Sequence, residues 1–426
     1  MNIESLYSIY QQYPVVVTDT RKLEKGCIFF ALKGGNFNGN SFALTALDNG
    51  AAYAIVDEDI DSSNERLIKV KDVLTTLQLL AKHHRQQFSI PFIAITGSNG
   101  KTTTKELVNA VLSSTYKTYC TQGNLNNHIG IPLTILRVKN DAEIAIIEMG
   151  ANHQKEIEGY CTYTLPTHAI ITNCGKAHLE GFGGVEGVRK GKGELYDYIR
   201  KHGGTIFAFS DYDYLREMSA GIQNIVHYGT VIGDIAGHVA DNHTFLTVQI
   251  DKGFNEPSKI HTQLAGAYNL PNVLCAVAVG VYCEVQEENI VKAIENYHPD
   301  NNRSQWIEWN GNKVILDAYN ANPSSMKVAI ENMAIQDAPT KYLLLGAMME
   351  LGEYSKEEHA KIVALLQKHA FDKVVLVGGD FEKVEHPFLY FKTALEAKEW
   401  LLQQPIENAL ILIKGSRSIG MENILK

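Results

Sequence analysis

The sequence predicts an α/β protein of three domains. Its 426 residues are enough for roughly two or three separate hydrophobic cores. Short apolar runs of the length of buried strands recur along the chain, and segments with helical periodicity lie between them. Strands that alternate with helices indicate parallel sheets covered on both faces. Hydrophobic residues make up 45% and charged residues 20% of the chain, as in ordinary globular proteins.

The first predicted domain spans residues 1–88 and has a small mixed α/β fold. Its strand candidates are the apolar runs at residues 15–17, 28–32 and 51–56. Turn-rich polar segments separate these runs, for example residues 33–40 with the sequence KGGNFNGN. The domain is expected to end near the polar stretch at residues 82–87.

The second predicted domain spans residues 89–300 and is doubly wound. A short apolar strand at residues 92–95 leads into a glycine-rich turn and then into an amphipathic helix. The apolar face of that helix consists of Leu107, Val108, Val111 and Leu112. Further strand candidates lie at residues 144–147 and 169–172, residues 229–262 have β-type alternation, and residues 270–282 have the pattern of a helix.

The third predicted domain spans residues 301–426 and is a second doubly wound, Rossmann-like α/β domain. Its strand candidates are residues 314–316, 342–345, 374–377 and 410–413. One helix between them has clear start signals, with Asn322 as the N-cap and Pro323 at the first helical position.

Charge, hydropathy and cysteine content exclude several classes of protein. The formal net charge of −9 disfavours broad contact with nucleic acid or anionic lipid. No apolar run reaches the roughly 18 residues of a membrane span, and the first residues lack the pattern of an export signal. The six cysteines include no C-x-x-C pair, which indicates reduced thiols. We therefore expect a cytoplasmic protein, a monomer, with no nucleic-acid partner and no membrane span.

Residues 95–104, ITGSNGKTTT, have the pattern of a phosphate-binding loop. A strand that feeds a glycine turn and a helix presents backbone N–H groups to a polyphosphate. Gly97 and Gly100 would permit the turn, while the Lys101 ammonium would neutralise phosphates and the Thr102 hydroxyl would reach Mg²⁺. Ile95 stands where the usual motif has its first glycine, so the loop is a shortened variant. The pattern predicts a P-loop-type ATPase domain at the centre of the chain.

Three more residues of this domain are candidates for metal binding or catalysis. Glu148 directly follows the apolar run at 144–147, His178 lies beyond the next strand candidate, and Lys192 lies in the basic segment 189–194, RKGKGE. Taken singly, Glu148 is equally compatible with a solvated carboxylate, and residues such as His178 and Lys192 are more often solvated side chains than ligands. Their shared position favours function, because ligands gather at the carboxyl ends of the strands of a doubly wound sheet.

Beyond these local patterns, nearly the whole chain resembles the Mur ligases, which build the peptide stem of peptidoglycan. The phosphate loop is similar to theirs. The other matching segments are residues 18–21 (TDTR), 26–34 (GCIFFALKG), 123–132 (GNLNNHIGIP), 148–150 (EMG), 317–326 (DAYNANPSSM), 345–352 (LGAMMELG) and 414–417 (KGSR). The last three segments resemble most closely the members of the family that add a dipeptide.

The resemblance implies a reaction and its substrates. The terminal carboxylate of UDP-MurNAc-tripeptide would attack the γ-phosphate of ATP and become an acyl phosphate. The free amine of D-alanyl-D-alanine would then displace phosphate, which would complete the pentapeptide. Such a reaction requires charge neutralisation and the positioning of two substrates more than it requires a protein nucleophile.

The same resemblance implies roles for individual residues. ATP would be bound by Gly97, Ser98, Asn99, Gly100, Lys101, Thr102 and Thr103 of the loop, and by Asn272, Arg303, Asp317 and Asn320. The catalytic residues would be Lys101, Glu148, His178 and Lys192.

Two Mg²⁺ sites are implied, one on Thr102 and Glu148 and the other on His178 and a carbamylated Lys192. Lys190 is the rival for carbamylation. The UDP end would be bound by Thr20, Arg21 and Lys33, and the muramoyl-peptide by Asn126 and Asn127.

Several alternatives stay open at this point. A Mur ligase that adds the third residue, or another amide-bond ligase such as folylpolyglutamate synthase, would share much of the pattern. A nucleotide-switch NTPase is an alternative of a different class. The sequence also leaves open whether the third stem residue is diaminopimelate or lysine, and how the C-terminal domain closes over ATP.

Overall fold

Three α/β units, each built on its own sheet, make up the protein. The computed structural model describes residues 1–60, 63–300 and 302–426. The α/β fold class predicted from the sequence, with three units, is confirmed. The proposed boundary between residues 300 and 301 touches residue 301, which lies outside the described residues.

The N-terminal unit has a parallel sheet of four strands and a short antiparallel hairpin. The sheet order is β1-β2-β5-β6, and β3 pairs with β4. Its strands are β1 (Val16–Val17), β2 (Ile28–Phe30), β3 (Lys33–Gly34), β4 (Phe37–Asn38), β5 (Tyr53–Val56) and β6 (Leu67–Lys69). Its helices are α1 (Ile3–Gln12), α2 (Ala43–Asp48) and α3 (Val73–Arg85).

The polar stretch at residues 82–87, near which the first unit was predicted to end, contains the last residues of helix α3. His84 and Arg85 are buried although both are polar. The His84 ring lies 2.8 Å from the Val138 carbonyl oxygen, and Arg85 Nε donates to the Thr164 carbonyl oxygen at 2.9 Å. Because these contacts replace water, two polar side chains can join the first unit to the second.

The central unit has a nine-stranded sheet in the order β15-β14-β13-β12-β11-β10-β7-β9-β8. Pairing is parallel from β8 through to β13, and β14 and β15 continue the sheet antiparallel, which accounts for the β-type alternation at 229–262. The strands are β7 (Phe92–Thr96), β8 (Thr118–Cys120), β9 (Ile144–Glu148), β10 (His168–Ile171), β11 (Thr205–Phe209), β12 (Asn224–Gly229), β13 (Ile235–Asp241), β14 (Thr247–Lys252) and β15 (Ser258–His261).

Helices cover both faces of this sheet, and every residue of β7 and of β9 is buried. The helices are α4 (Lys101–Ser113), α5 (Gly130–Ile135), α6 (Glu156–Thr164), α7 (Leu179–Phe182), α8 (Val185–His202), α9 (Asp213–Met218), α10 (Leu270–Tyr282) and α11 (Glu287–Glu295). The predicted apolar face of α4 is fully buried, and α10 has the predicted bounds.

The C-terminal unit has a six-stranded sheet in the order β16-β17-β21-β18-β19-β20, parallel except for β16. Its strands are β16 (Gln305–Trp309), β17 (Asn312–Asp317), β18 (Lys341–Gly346), β19 (Lys373–Val377), β20 (Leu389–Phe391) and β21 (Leu410–Lys414). Its helices are α12 (Pro323–Ile335), α13 (Ser355–Leu366) and α14 (Ala394–Leu402).

Helix α12 begins as predicted. The Asn322 side chain accepts from the Ser325 backbone N–H, and the Ser325 hydroxyl accepts in return from the Asn322 backbone. This capping box fixes the direction in which the chain leaves β17 and enters α12.

Two further findings concern the whole chain. All six cysteines are free, in agreement with the expectation of reduced thiols. No helix in the described part of the chain combines the length and the apolar character needed to cross a membrane.

Candidate active site

The phosphate loop joins β7 to α4 at the centre of the nine-stranded sheet. Strand β7 lies between β10 and β9, so the loop sits where neighbouring connections diverge to either side. Gly97 has a φ of 148° and Gly100 a φ of 79°, both in the region that favours glycine. A Cβ on Gly97 would lie 1.9 Å from Thr172 Oγ1. The glycines are therefore required by the backbone and by close packing.

The Lys101 ammonium folds back onto the loop. Its Nζ donates to the carbonyl oxygen of Gly97 at 2.6 Å and to that of Ser98 at 3.3 Å. Burial lowers the pKa of Lys101 to about 8, and the nearby Glu148 carboxylate opposes that shift. The ammonium is thus poorly hydrated and placed where a phosphate oxygen could take over from the carbonyl groups.

Glu148 is the last residue of β9 and ends beside the loop, at the sheet edge that the sequence predicted. It is 1% exposed. Its carboxylate accepts from Thr102 Oγ1 at 2.9 Å and from Asn126 Nδ2 at 2.8 Å. Across the described residues, no basic side chain lies within 4.0 Å of it. A buried carboxylate with neutral partners and a hydroxyl neighbour fits a hard divalent cation.

His178 and Lys192 occupy the same side of the domain but have different partners. His178 Nδ1 lies 2.6 Å from Glu350 Oε2 of the C-terminal unit. Lys192 is buried, donates from Nζ to the Ala151 carbonyl oxygen at 3.0 Å, and lies near the Phe182 ring. No contact joins His178 to Lys192 among the residues described. Two ligands of one ion need not contact each other, so the second metal site stays a prediction.

Burial lowers the pKa of Lys192 to about 7, and the Lys101 charge adds to the shift. A substantial fraction of the Lys192 amine is therefore neutral near neutral pH. Lys190, the rival for carbamylation, is exposed.

The Asn272 side chain, on helix α10, packs against the phosphate loop and the start of α4. Its Oδ1 accepts from Thr104 Oγ1 at 3.1 Å, and its Nδ2 donates to Asn269 Oδ1 at 2.9 Å. The same side chain packs so closely on Gly100 that a Cβ there would lie 2.6 Å from Asn272 Oδ1. Asn272 also lines the cleft described below, where it is placed for the predicted contact with ATP.

On the C-terminal unit, the ends of two parallel strands carry opposite charges. Asp317 ends β17, Lys414 ends β21, and the two residues pair in register. Lys414 Nζ donates to Asp317 Oδ2 at 2.5 Å and to the Asn320 carbonyl oxygen at 3.3 Å. The Arg303 guanidinium lies over the Tyr319 ring at 3.7 Å from the ring centroid. The strand ends thus bring together three of the predicted ATP contacts, namely Arg303, Asp317 and Asn320.

Direct hydrogen bonds join the C-terminal unit to the phosphate loop. Asn322 Nδ2 donates to Asn99 Oδ1 at 2.7 Å, and the Lys176 backbone N–H donates to Ser324 Oγ at 3.0 Å. Local sequence patterns had marked Asn322 only as a helix cap. Its second partner, like the Glu350 partner of His178, lies far away in the sequence and was missed.

Between the two units lies a cleft of about 1230 Å³. Its walls are the carboxyl ends of the two parallel sheets, the edge at which ligands bind in such folds. The predicted site residues that line it are Ser98, Asn99, Gly100, Lys101, Thr103, Asn126, Asn127, Glu148, His178, Asn272, Arg303, Asp317 and Asn320. Cleft-lining residues that the sequence analysis did not assign include Tyr268, Tyr319, Met349, Glu350, Lys414 and Arg417.

The remaining predicted substrate contacts have other surroundings. Thr20, Arg21 and Lys33 are not among the residues that line this cleft. Arg21 pairs with Asp19 at 2.7 Å, and Lys33 pairs with Asp57 at 2.9 Å, so both cations already have acidic neighbours in the N-terminal unit.

Asn127 lines the cleft and also accepts hydrogen bonds from the backbone of its own unit. Its Oδ1 accepts from the backbone N–H groups of Ile129 and Gly130, which open helix α5. The Asn126 side chain is bound to Glu148, as described above. A substrate at this wall would therefore meet side chains that are already fixed in place.

Comparison with known proteins agrees with this architecture. The Mur ligase middle domain matches residues 95–280, and the Mur ligase, glutamate ligase domain matches residues 302–417. A relative from Bacillus subtilis (strain 168) is 34% identical over 96% of this chain and 92% of its own length. Among solved structures, MurF from Acinetobacter baumannii has a TM-score of 0.87 and 32% identity, and covers 96% of this chain and 92% of that one.

The chain belongs to the Mur ligase family, the class of enzyme that its fold and cleft define. Enzymes of this kind are ATP-dependent amide-bond ligases. The Bacillus subtilis relative bears the name UDP-N-acetylmuramoyl-tripeptide--D-alanyl-D-alanine ligase. A MurF ligase from Thermotoga maritima, solved in complex with ADP, has a TM-score of 0.86 and 26% identity, with 96% of each chain covered.

Proposed function

We propose that this enzyme uses ATP to join D-alanyl-D-alanine to UDP-MurNAc-tripeptide, which gives UDP-MurNAc-pentapeptide, ADP and phosphate for peptidoglycan synthesis. One observation carries the proposal. The carboxyl ends of two parallel sheets face each other across a single cleft, with a phosphate loop on one wall and strand-end charged residues on the other. The relatives match nearly the whole length of the chain, and the activity for which they are named supports this choice of substrates.

The residues of the cleft would act mainly by positioning and by charge. Lys101 and the loop N–H groups would hold the β- and γ-phosphates. The tripeptide carboxylate attacks the γ-phosphorus, ADP leaves, and an acyl phosphate forms. The dipeptide amine then attacks the acyl carbon, and phosphate departs as the amide bond forms. Contacts such as Asn322 to Asn99 hold the C-terminal unit over the loop and would limit the access of water to the acyl phosphate.

Magnesium fits the donors of the loop wall. Thr102 and Glu148 would hold one ion, which would neutralise phosphate charge when bound. No group of three or more His, Cys, Asp or Glu side chains is placed to hold a metal within the described chain, so the remaining ligands would be phosphate oxygens and water.

A second ion would need His178 and a carbamate on Lys192. A carbamate forms from carbon dioxide and a neutral amine, and burial favours the neutral form of Lys192 over the exposed Lys190. We therefore propose Lys192 as the carbamylated residue.

We also propose a separate function for each of the three domains. Residues 1–88 would bind the UDP end through Thr20, Arg21 and Lys33, and residues 89–300 would bind ATP. Residues 301–426 would close over it. Since a single chain supplies both walls of the cleft, we propose that the enzyme acts as a monomer, and we propose that it acts in the cytoplasm.

A substrate-omission assay tests the proposal. Phosphate release is measured with ATP, UDP-MurNAc-tripeptide and D-alanyl-D-alanine together, and then with each of the three left out. We expect release only when all three are present, with the pentapeptide as product by mass spectrometry. A Lys101→Ala preparation made in parallel measures contaminating phosphatase.

Two outcomes would overturn the proposal. Release with a single amino acid in place of the dipeptide would indicate a ligase that adds a different residue. Release without any acceptor, at a rate that the acceptors do not change, would favour a nucleotide switch.

A further inference from the structure

Among the described basic residues that line the cleft, Arg417 has neither a role in the proposed chemistry nor an acidic partner. Lys101 is held by the loop carbonyl groups, and Lys414 is paired with Asp317. Arg417 lies just beyond β21, lines the cleft and is exposed. Within the described ranges, no carboxylate lies within 4.0 Å of its guanidinium. It is therefore free to bind an anion from solution.

The Tyr319 ring lies near this guanidinium. The Arg417 guanidinium carbon lies 5.1 Å from the centroid of the Tyr319 ring, and that of Arg303 lies 3.7 Å from the same centroid. The ring attracts both cations through its π face. Two like charges near one ring repel each other, so an anion bound between or beside them would relieve that repulsion.

An apolar group adjoins this cation on the cleft wall. The Met349 backbone N–H donates to Ser416 Oγ at 3.0 Å, and Ser416 directly precedes Arg417. Ser416 is 2% exposed, whereas Met349 is 45% exposed and lines the cleft. The buried hydroxyl thus holds the Met349 backbone beside the residue that precedes Arg417, and both the thioether and the guanidinium are accessible in the cleft. A ligand with a carboxylate and a small apolar group suits this pair.

We infer that Arg417 binds the terminal carboxylate of the incoming dipeptide, and that Met349 contacts one of its methyl groups. The inference rests on the proposed function. A guanidinium binds a carboxylate through two parallel hydrogen bonds. In an extended dipeptide the carboxylate lies about 7 Å from the reacting amine, roughly one residue further than in a single amino acid. A guanidinium at the longer distance from the reacting amine would select the dipeptide.

The test compares D-alanyl-D-alanine with its C-terminal amide, which lacks the negative charge. Loss of a charge-assisted pair raises KM by about 10- to 100-fold, so the wild-type enzyme should show that difference between the two acceptors. In Arg417→Met, KM for the acid should rise to the value for the amide. KM for ATP and for UDP-MurNAc-tripeptide should stay within about twofold. Arg417→Lys keeps the charge but lacks the planar guanidinium, so its KM for the acid should lie between those of the wild-type enzyme and Arg417→Met.

Controls separate this inference from its rivals. Arg216→Ala removes an exposed arginine that does not line the cleft and should leave every KM unchanged. ADP titration of Arg417→Met checks that the variant is folded. A rise in KM for ATP with an unchanged KM for the dipeptide would assign Arg417 to a phosphate and overturn the inference. Persistent discrimination between acid and amide in Arg417→Met would also overturn it. Failure of the wild-type enzyme to use any dipeptide would instead refute the proposed function.

Discussion

Gly97→Ala should remove most of the nucleotide affinity of this enzyme. Gly97 has a φ of 148°, and a Cβ there would lie 1.9 Å from Thr172 Oγ1 and 3.1 Å from the Asn173 backbone nitrogen. The Thr172 hydroxyl donates to the Asn99 carbonyl oxygen at 2.6 Å. The hydroxyl therefore cannot move away without releasing the loop that it holds.

The structure sets the size of the effect. A residue other than glycine at such a φ costs about 1–3 kcal/mol, and an overpacked contact costs about 1–3 kcal/mol more. The chain can avoid the larger part of this cost by displacing the loop, which is at the surface of the cleft. Displacement of the loop N–H groups should weaken ADP binding by about 30-fold or more, which corresponds to about 2 kcal/mol.

Calorimetric titration with ADP measures this loss, and thermal unfolding measures any change in stability. Gly159→Ala in α6 is the matched control, because a Cβ there would meet no atom within 4 Å. Alanine in a helix should raise stability slightly and leave ADP binding intact. The double variant Gly97→Ala/Thr172→Ala removes the closest contact but keeps the backbone strain, so it should recover part of the affinity. Wild-type ADP affinity in Gly97→Ala would refute this account of the loop.

Three further predictions concern the charged groups of the site. Glu148→Gln should lower activity by about 100-fold or more and abolish its response to added Mg²⁺, as measured by magnesium titration, since the buried negative charge is lost. ADP affinity in magnesium-free buffer should fall as pH rises above about 8, because the Lys101 ammonium is present below its lowered pKa and neutral above it. Calorimetry across that range should show no such fall in Lys101→Ala. Lys192→Ala should lose most phosphate release and regain part of it with a short-chain carboxylic acid, whereas the exposed Lys190→Ala should keep full activity.

Features that are set by residues close together along the chain could be predicted from the sequence. The phosphate loop needs a strand, two glycines, a lysine and a helix in succession, and all of them lie within residues 92–113. The start of α12 needs only Asn322 and the residues just after it. Glu148 could be placed at a sheet edge because the apolar run before it defines a buried strand.

Features that depend on distant partners could not be predicted in this way. The burial of His84 and Arg85 could not be predicted, because nothing local shows that backbone carbonyl groups of the next unit would accept hydrogen bonds from them. The contact of His178 with Glu350 joins residues more than a hundred positions apart. Both residues of this pair have positive φ values, which local composition did not reveal. Long-range pairings of this kind are set by the packing of whole sheets.

The polar contacts between the phosphate loop and the C-terminal unit have a consequence for turnover. If residues 301–426 close over ATP in each round of synthesis, as proposed, these contacts must separate and form again each time. Two further contacts between the central and C-terminal units pair a basic with an acidic side chain, His178 with Glu350 and Lys176 with Glu358. In each pair one side chain is accessible (Glu350 49%, Lys176 39%) and the other is largely buried (His178 18%, Glu358 6%). Salt partly screens pairs with an accessible partner. Ionic strength should therefore govern how quickly the enzyme releases what it has made.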